Sequence, residues 1–370
     1  MSEAPKPFRQ MVRRALRHLV SLVFYYSGCC TLFQRVRRML RGGTITILAY
    51  HGVNDGPFAL NLFITPTSFE AQMRFLQRHY AVVPLSQVEA LLREGRSLDR
   101  DVIVLTFDDG YRDNFDFAFP ILSGLRLPAT VYLATDPIDK DFPTFIYALV
   151  LAIHGTRTAI LNLSQYGLGV YDLTRQRTRE IAIAEIDRYA KRVTSGERRA
   201  LLDHILTCLG VSSADPLFRG RMLTWDLVRH MRRCGISFGA HTVTHPVLAQ
   251  LSAAEIHQEI TESKRIIEEQ LAEEVTSFAY PYGGTTDVSS TVCEIVEKCG
   301  FTSGVVLYEG DTRHSSLFTV PRKMVAEETS SGILGRFSTA VFACEVSGLF
   351  DILLRRGARG VRPCTRDSFR

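Results

Sequence analysis

Short apolar, β-branched runs recur along this chain with helical patterns between them, and that alternation restricts the fold more than any other feature. The runs lie at 45–50, 102–107, 129–134, 236–240, 276–280, 302–307 and 317–320, seven candidate strands in all. The helical pattern is clearest at 252–272, where Ile256, Ile260, Ile266, Ile267 and Leu271 are set among charges. Capping boxes are expected at Thr67 with Glu70, Ser86 with Glu89, and Ser252 with Glu255. Strands alternating with helices imply a parallel sheet or barrel, whose ligand sites lie at the C-terminal ends of the strands. A length of 370 residues suits two domains or one large barrel with insertions, and 46% hydrophobic residues supply a core for either.

Charge divides the chain into three parts. Residues 1–43 carry nine Lys/Arg against Glu3, and residues 329–370 carry seven Arg against three acids, while 44–328 holds 28 basic and 35 acidic residues. A mildly acidic body with basic ends argues against a nucleic-acid binder, which needs its positive charge on the folded surface, and suggests ends that meet an anionic membrane. Residues 19–33 form an uncharged run of fifteen, short for a spanning helix. An interfacial amphipathic anchor is expected there, with a signal peptide or signal anchor as the competing reading. The protein is therefore expected to be membrane-associated, peripheral or N-terminally anchored, on either side of the membrane.

The strand rhythm breaks at 140–222, where 142–153, 178–193 and 197–209 have helical character, so a helical insertion on the barrel is expected. The expected organisation is an N-terminal membrane-associating segment (1–43), a barrel (44–328) with its insertion, and a C-terminal amphipathic helix with a basic tail (329–370). The eight cysteines show no CxxC pair and no repeated ligand spacing, and read as isolated reduced thiols.

Two motifs carry chemistry. Residues 102–110 read VIVLTFDDG, a strand ending in Asp108 and Asp109. Successive side chains of a strand point to opposite faces, so both carboxylates serve one site only if the chain turns there, which Gly110 permits. Alone, the pair reads equally well as an Asp-Gly turn. At His241-Thr242-Val243-Thr244-His245 two imidazoles stand at i, i+4, but the β-branched residues and Pro246 favour a strand end entering a loop. Two imidazoles and a carboxylate suit a divalent transition metal that keeps an open position for water. Trp225, the only tryptophan, reads equally as an aromatic wall of a pocket or a core residue.

Together these motifs resemble the polysaccharide deacetylases, the fourth carbohydrate esterase family, over roughly 45–325. The resemblance implies a distorted (β/α) barrel of about seven parallel strands and a metal-dependent hydrolase acting on an N-acetylated glycan. Thr106-Phe107-Asp108-Asp109-Gly110 matches the family's first motif, which implies Asp108 as catalytic base and Asp109 as metal ligand. His241 and His245 match the second motif and complete the metal set. Phe278-Ala279-Tyr280-Pro281-Tyr282-Gly283 resembles the third, implying that the Tyr282 N–H holds the oxyanion. The family's base-orienting arginine is replaced by Ala279, and Arg322 is a candidate substitute. The late motif with a general-acid histidine is absent, but Tyr50-His51-Gly52-Val53 resembles the rearranged subgroup that includes poly-N-acetylglucosamine deacetylases, in which an early histidine supplies the acid; His51 inherits that role. One divalent ion is implied, zinc first, with cobalt, nickel or iron as alternatives.

Removal of N-acetyl groups from an N-acetylhexosamine-containing polysaccharide or its lipid-linked precursor, in exopolysaccharide or cell-envelope biosynthesis, is therefore expected. Three other readings compete. An O-acetyl esterase would use the same fold. Nucleotide-dependent transfer would explain VIVLTFDD as a Walker B-like strand, yet no phosphate-binding glycine loop accompanies it. An idle, membrane-tethered carbohydrate-binding scaffold would explain Ala279 but not the retention of Asp108, Asp109, His241, His245 and His51.

Overall fold

The computed structural model describes residues 6–56, 62–96, 98–308, 310–333 and 335–353; the basic tail and Cys364 lie outside them. Eight parallel strands follow one another around a barrel in chain order: β1 (Ile45–Tyr50), β2 (Val102–Phe107), β3 (Thr130–Leu133), β4 (Ser237–Ala240), β5 (Ser277–Ala279), β6 (Ser303–Val306), β7 (Val320–Pro321) and β8 (Lys323–Met324). A short strand, Ala81–Val82, pairs beside the start of β2.

Eight strands stand where seven were expected: the run expected at 317–320 supplies only Val320 of β7, and β8, on the far side of Arg322, lies beyond it. β7 pairs with β6 and β8 pairs with β1, so the ring closes through the chain itself rather than through a ladder. Arg322 N–H still donates to Val306 O at 2.9 Å, and Val325 N–H already donates to Ala49 O at 2.9 Å. The transfer from one neighbour to the other happens within three residues, and Pro321, with no N–H to give, makes the first half a weak ladder.

All six residues of β2 are buried, as expected of a parallel strand covered on both faces. Ile47, Val104, Tyr132, Ala279, Val305 and Val320, one from each of six strands, form a single buried cluster that fills the barrel. Leu48, Leu105, Val131, Phe238 and Phe278 belong to the larger core under the surrounding helices. Gly239 in β4 is a packing requirement: a Cβ there would meet the Tyr132 ring at 2.5 Å and Ser277 O at 2.8 Å.

Helix ends correct two of the three expected caps. Ser252 and Glu255 do form a capping box at Ala253–Leu271. The helix Pro66–His79 is instead capped by Thr65, whose hydroxyl accepts from Ser68 N–H while Pro66 occupies the first helical position. The helix Leu85–Glu94 starts after Pro84, and Glu89 is buried with its carboxyl on the Ser303 hydroxyl rather than on a helix end. The insertion contains the helices Phe145–Gly155, Gln176–Ala190 and Ser195–Cys208, the last opened by a Thr194–Glu197 capping box, and an antiparallel pair, Ile160–Asn162 with Val170–Asp172.

The apolar N-terminal run is broken: one helix spans Lys6–Tyr26, Gly28 turns the chain at φ 79°, and a second spans Cys29–Arg41. The first packs on the helix Thr339–Val346, with Arg17 Nη2 at 2.8 Å from Glu345 Oε2. The second is tied to the start of β2 by Arg37 Nη2 at 3.1 Å from Asp101 Oδ1. Among the described residues no helix is long and apolar enough to cross a membrane.

Candidate active site

The acidic pair sits where β2 runs out. Asp108 N–H extends the ladder to Tyr50 O at 3.0 Å, after which Asp109 (φ 73°) and Gly110 (φ 77°) are both left-handed. The turn thus begins on Asp109 itself, one residue before the glycine, and aspartate tolerates that conformation better than most side chains. It sends the two carboxylates to different partners within one barrel mouth.

Asp108 meets Arg322 in a two-pronged pair: Nη1 to Oδ1 and Nη2 to Oδ2, both 2.7 Å. The same Nη1 donates to Thr106 Oγ1 at 3.1 Å, and Thr106 donates to Leu48 O at 2.9 Å, so the guanidinium is braced from β2. Arg322 therefore brings a guanidinium to the carboxylate where Ala279 brings none. Burial pushes the Asp108 carboxyl up, but Arg322, and less strongly His241 and His51, hold it below its ordinary value. His51, at the end of β1, lies with Nε2 4.0 Å from Asp108 Oδ2. Its carbonyl accepts from Asn114 Nδ2 at 2.7 Å, and Asn114 and Asn54 both donate to buried Asp113 behind it.

Asp109 faces the two expected imidazoles: Oδ1 is 3.6 Å from His241 Nε2 and 3.2 Å from His245 Nε2. The three candidate ligand atoms lie within 4.8 Å of one another, and all three residues are buried. The spacing at i, i+4 is closed by a loop and not by a helix: Thr242 (φ 67°) and His245 (φ 57°) are left-handed, and His245 N–H donates to Thr242 Oγ1 at 3.0 Å. Glu259, on the helix after the loop, accepts from Val243 N–H, Thr244 N–H and the Thr244 hydroxyl at 2.8, 2.9 and 2.6 Å. Sequence reasoning missed this clamp; the one signal available was an acid between Ile256 and Ile260, on the buried side of the helix.

The donor set fits a metal ion. His241 Nδ1 lies 2.7 Å from Ala279 O, which assigns the proton to Nδ1 and leaves the Nε2 lone pair facing a carboxylate oxygen. Burial pushes the His241 pKa down to about 4, so the ring is neutral near pH 7 and its approach to Asp109 is not an ion pair. Asp109 Oδ1 is buried and, among the described residues, makes no hydrogen bond of good geometry. Two acceptors turned toward each other in a buried site need a cation between them.

Tyr282 follows β5 beside the imidazoles, in a left-handed turn (φ 61°). Its N–H has no acceptor among the described residues, whereas Gly283 N–H donates to Pro281 O at 2.7 Å. Its ring packs on His245 with centroids 5.0 Å apart, and its hydroxyl accepts from Arg198 Nη1 of the insertion at 3.2 Å. Burial raises that hydroxyl's pKa to about 12, so it stays protonated. Trp225 is half-buried against the core, and its indole N–H donates to Asp139 Oδ1 at 2.7 Å.

Comparison with known proteins agrees with this geometry. The family model described as Polysaccharide deacetylase matches residues 95–304. A Bacillus subtilis (strain 168) protein, YxkH, assigned to the polysaccharide deacetylases, is 20% identical over 79% of this chain and 75% of its own length. The poly-beta-1,6-N-acetyl-D-glucosamine N-deacetylase of Escherichia coli (strain K12) is 32% identical over 22% of this chain, which spans only 12% of that protein. Among solved structures, IcaB from Ammonifex degensii superposes with a TM-score of 0.53 at 17% identity, covering 82% of this chain and 97% of its own. The Streptococcus pyogenes deacetylase PplD superposes with a TM-score of 0.52 at 20% identity, covering 79% and 95%. These superpositions establish the distorted barrel, and the family model covers more than half the chain. This chain belongs to the polysaccharide deacetylase family and is a hydrolase of that class.

Proposed function

We propose that the chain is a metal-dependent N-deacetylase of an N-acetylhexosamine-containing glycan, polymer or lipid-linked precursor, serving exopolysaccharide or cell-envelope synthesis. Asp109, His241 and His245 are assigned as ligands of one divalent ion, with zinc favoured by the nitrogen and oxygen donors and cobalt, nickel or iron compatible with them. The carrying observation is the buried Asp109 oxygen, unpartnered and facing two imidazole nitrogens. When bound, such an ion polarises the acetyl carbonyl and acidifies water.

The remaining work falls to the chain. Asp108, kept ionised and oriented by Arg322, takes the proton of the attacking water. The unpaired Tyr282 N–H donates to the developing oxyanion. His51, with Nε2 4.0 Å from Asp108 Oδ2, returns a proton to the departing nitrogen. That proton favours an amide over an ester as substrate, because an unprotonated amine leaves far less readily than an alkoxide. An idle scaffold has no need of a buried arginine locked onto a buried carboxylate.

Acetate release from β-1,6-linked N-acetylglucosamine oligomers by zinc-loaded protein tests the reading. The double variant His241→Ala, His245→Ala should lose stoichiometric metal and acetate release together. Undiminished release from the chelated protein and from the double variant would sink it.

The N-terminal helix supports a location. Val12, Leu16, Leu19, Val23 and Tyr26 are exposed at helical spacing on Lys6–Tyr26, and Leu32, Val36, Met39 and Leu40 are exposed on Cys29–Arg41, with exposed Arg13, Arg35 and Arg41 beside them. An apolar stripe flanked by arginines fits the surface of an anionic bilayer, so we place residues 1–43 there as a peripheral anchor, distinct from the barrel of 44–328. At about 1 kcal/mol per arginine, vesicles containing anionic lipid should bind roughly a hundredfold more tightly than neutral ones. Co-sedimentation measures this, and Leu16→Glu with Val23→Glu should abolish binding; equal binding to both vesicle types would refute the anchor.

A further inference from the structure

A cavity of about 390 Å³ opens between the insertion and the barrel. Its charged lining is Lys140, Arg198, Arg199 and Arg219 against Asp136 and Asp203. Two of the cations are neutralised locally, Lys140 by Asp136 at 2.7 Å and Arg199 by Asp203 at 3.8 Å. Arg198 and Arg219 make no ion pair among the described residues.

Arg198 is the informative member. It is only 7% exposed, and its single side-chain hydrogen bond among the described residues is to the neutral Tyr282 hydroxyl. Arg219 is exposed and donates only to the backbone oxygen of Lys140, at 3.1 Å. A buried guanidinium without a counter-charge is costly to keep, and here it borders an open cavity instead of a carboxylate. It also stands in the first turn of the helix Ser195–Cys208, whose positive end adds to the field.

The cavity adjoins the candidate metal site. Thr244, the residue before His245, lines it, and the Tyr282 ring bridges Arg198 to the His245 ring. A glycan with its acetamido group at Asp109, His241 and His245 would extend a neighbouring substituent into this space, which is large enough for part of a sugar as well.

We propose that the insertion forms a subsite for an anionic substituent, a phosphate or a carboxylate, carried by the glycan beside the acetamido group that is cleaved. Arg198 is its principal recognition residue and Arg219 its second. This rests on the deacetylase reading of the adjoining site.

The test compares kcat/KM on three β-1,6-linked N-acetylglucosamine trimers: neutral, bearing a reducing-end 1-phosphate, and ending in a hexuronate. The zinc-loaded wild type should prefer one anionic trimer at least tenfold, and which one identifies the anion. Arg198→Gln should remove the preference by raising KM for the anionic trimer, Arg198→Lys should retain part of it, and exposed Arg219→Gln should reduce it without endangering the fold. Because the readout is a ratio, damage passed through Tyr282 lowers all three rates alike and leaves the ratio intact. Equal kcat/KM on all trimers, or variants that keep the wild-type ratio, would overturn the subsite. If no trimer releases acetate, the deacetylase reading is what has failed, and calorimetry still decides the subsite. Tenfold tighter binding of an anionic trimer, lost in Arg198→Gln, supports it, and equal binding refutes it.

Discussion

Asp108→Asn is expected to lower kcat by about 10²–10⁴-fold, the usual loss when a positioned general base is removed, and to leave stoichiometric metal binding in place. The two effects separate because the carboxylates have separate partners: Asp108 is gripped by Arg322 at 2.7 Å on both oxygens, and Asp109 faces the imidazoles. An amide in place of the carboxylate keeps the shape and one acceptor for the guanidinium but cannot take a proton. Steady-state acetate release beside metal analysis of the same sample makes the measurement. A variant within threefold of wild type would remove Asp108 from the mechanism.

Arg322→Met has the larger consequence for the fold. It leaves a fully buried carboxylate without its counter-ion, a change that typically costs about 3–5 kcal/mol. The dependence on pH reverses as well. In the native protein Asp108 titrates below its ordinary value of 3.8, so the ion pair's contribution is complete above that pH and is lost as pH falls through the lower folded value. Without the arginine, burial dominates and raises the pKa, so the variant is most destabilised near neutrality and recovers as the carboxyl protonates on acidification. The acid limb of kcat/KM moves to higher pH for the same reason. Denaturant midpoints from pH 4 to 8 read the first effect and rate profiles the second; midpoints parallel to wild type across that range would show that Arg322 does not set the charge of Asp108.

The fold was legible where local pattern and tertiary demand coincide. β1 and β2 occupy the expected residues because both are continuous apolar runs buried on each face. The last strand was not, since its break depends on which neighbour offers a ladder on each side of Arg322, and Pro321 marks only that the first half is weak. Ser252 and Glu255 are solvent-facing and free to cap, whereas Glu89 has the same spacing from Ser86 but is drawn under the barrel to Ser303. The candidate site was legible as a set of residue types. Its brace was only half so: Arg322 follows a candidate strand, but the Glu259 clamp and the Arg198 contact join segments 15 and 84 residues apart through geometry that no local motif carries.

The seam between β7 and β8 ties assembly to competence. Arg322 stands at the one point where the ring is joined by covalent chain alone, and it is also the last of these site residues to leave the ribosome, after His51, Asp108, Asp109, His241, His245 and Tyr282. A nascent chain can hold all three residues of the proposed metal site and still lack the guanidinium that grips Asp108. Closing the barrel and orienting Asp108 then fall to the same short segment, so on the proposed mechanism competence waits for the last strand pair.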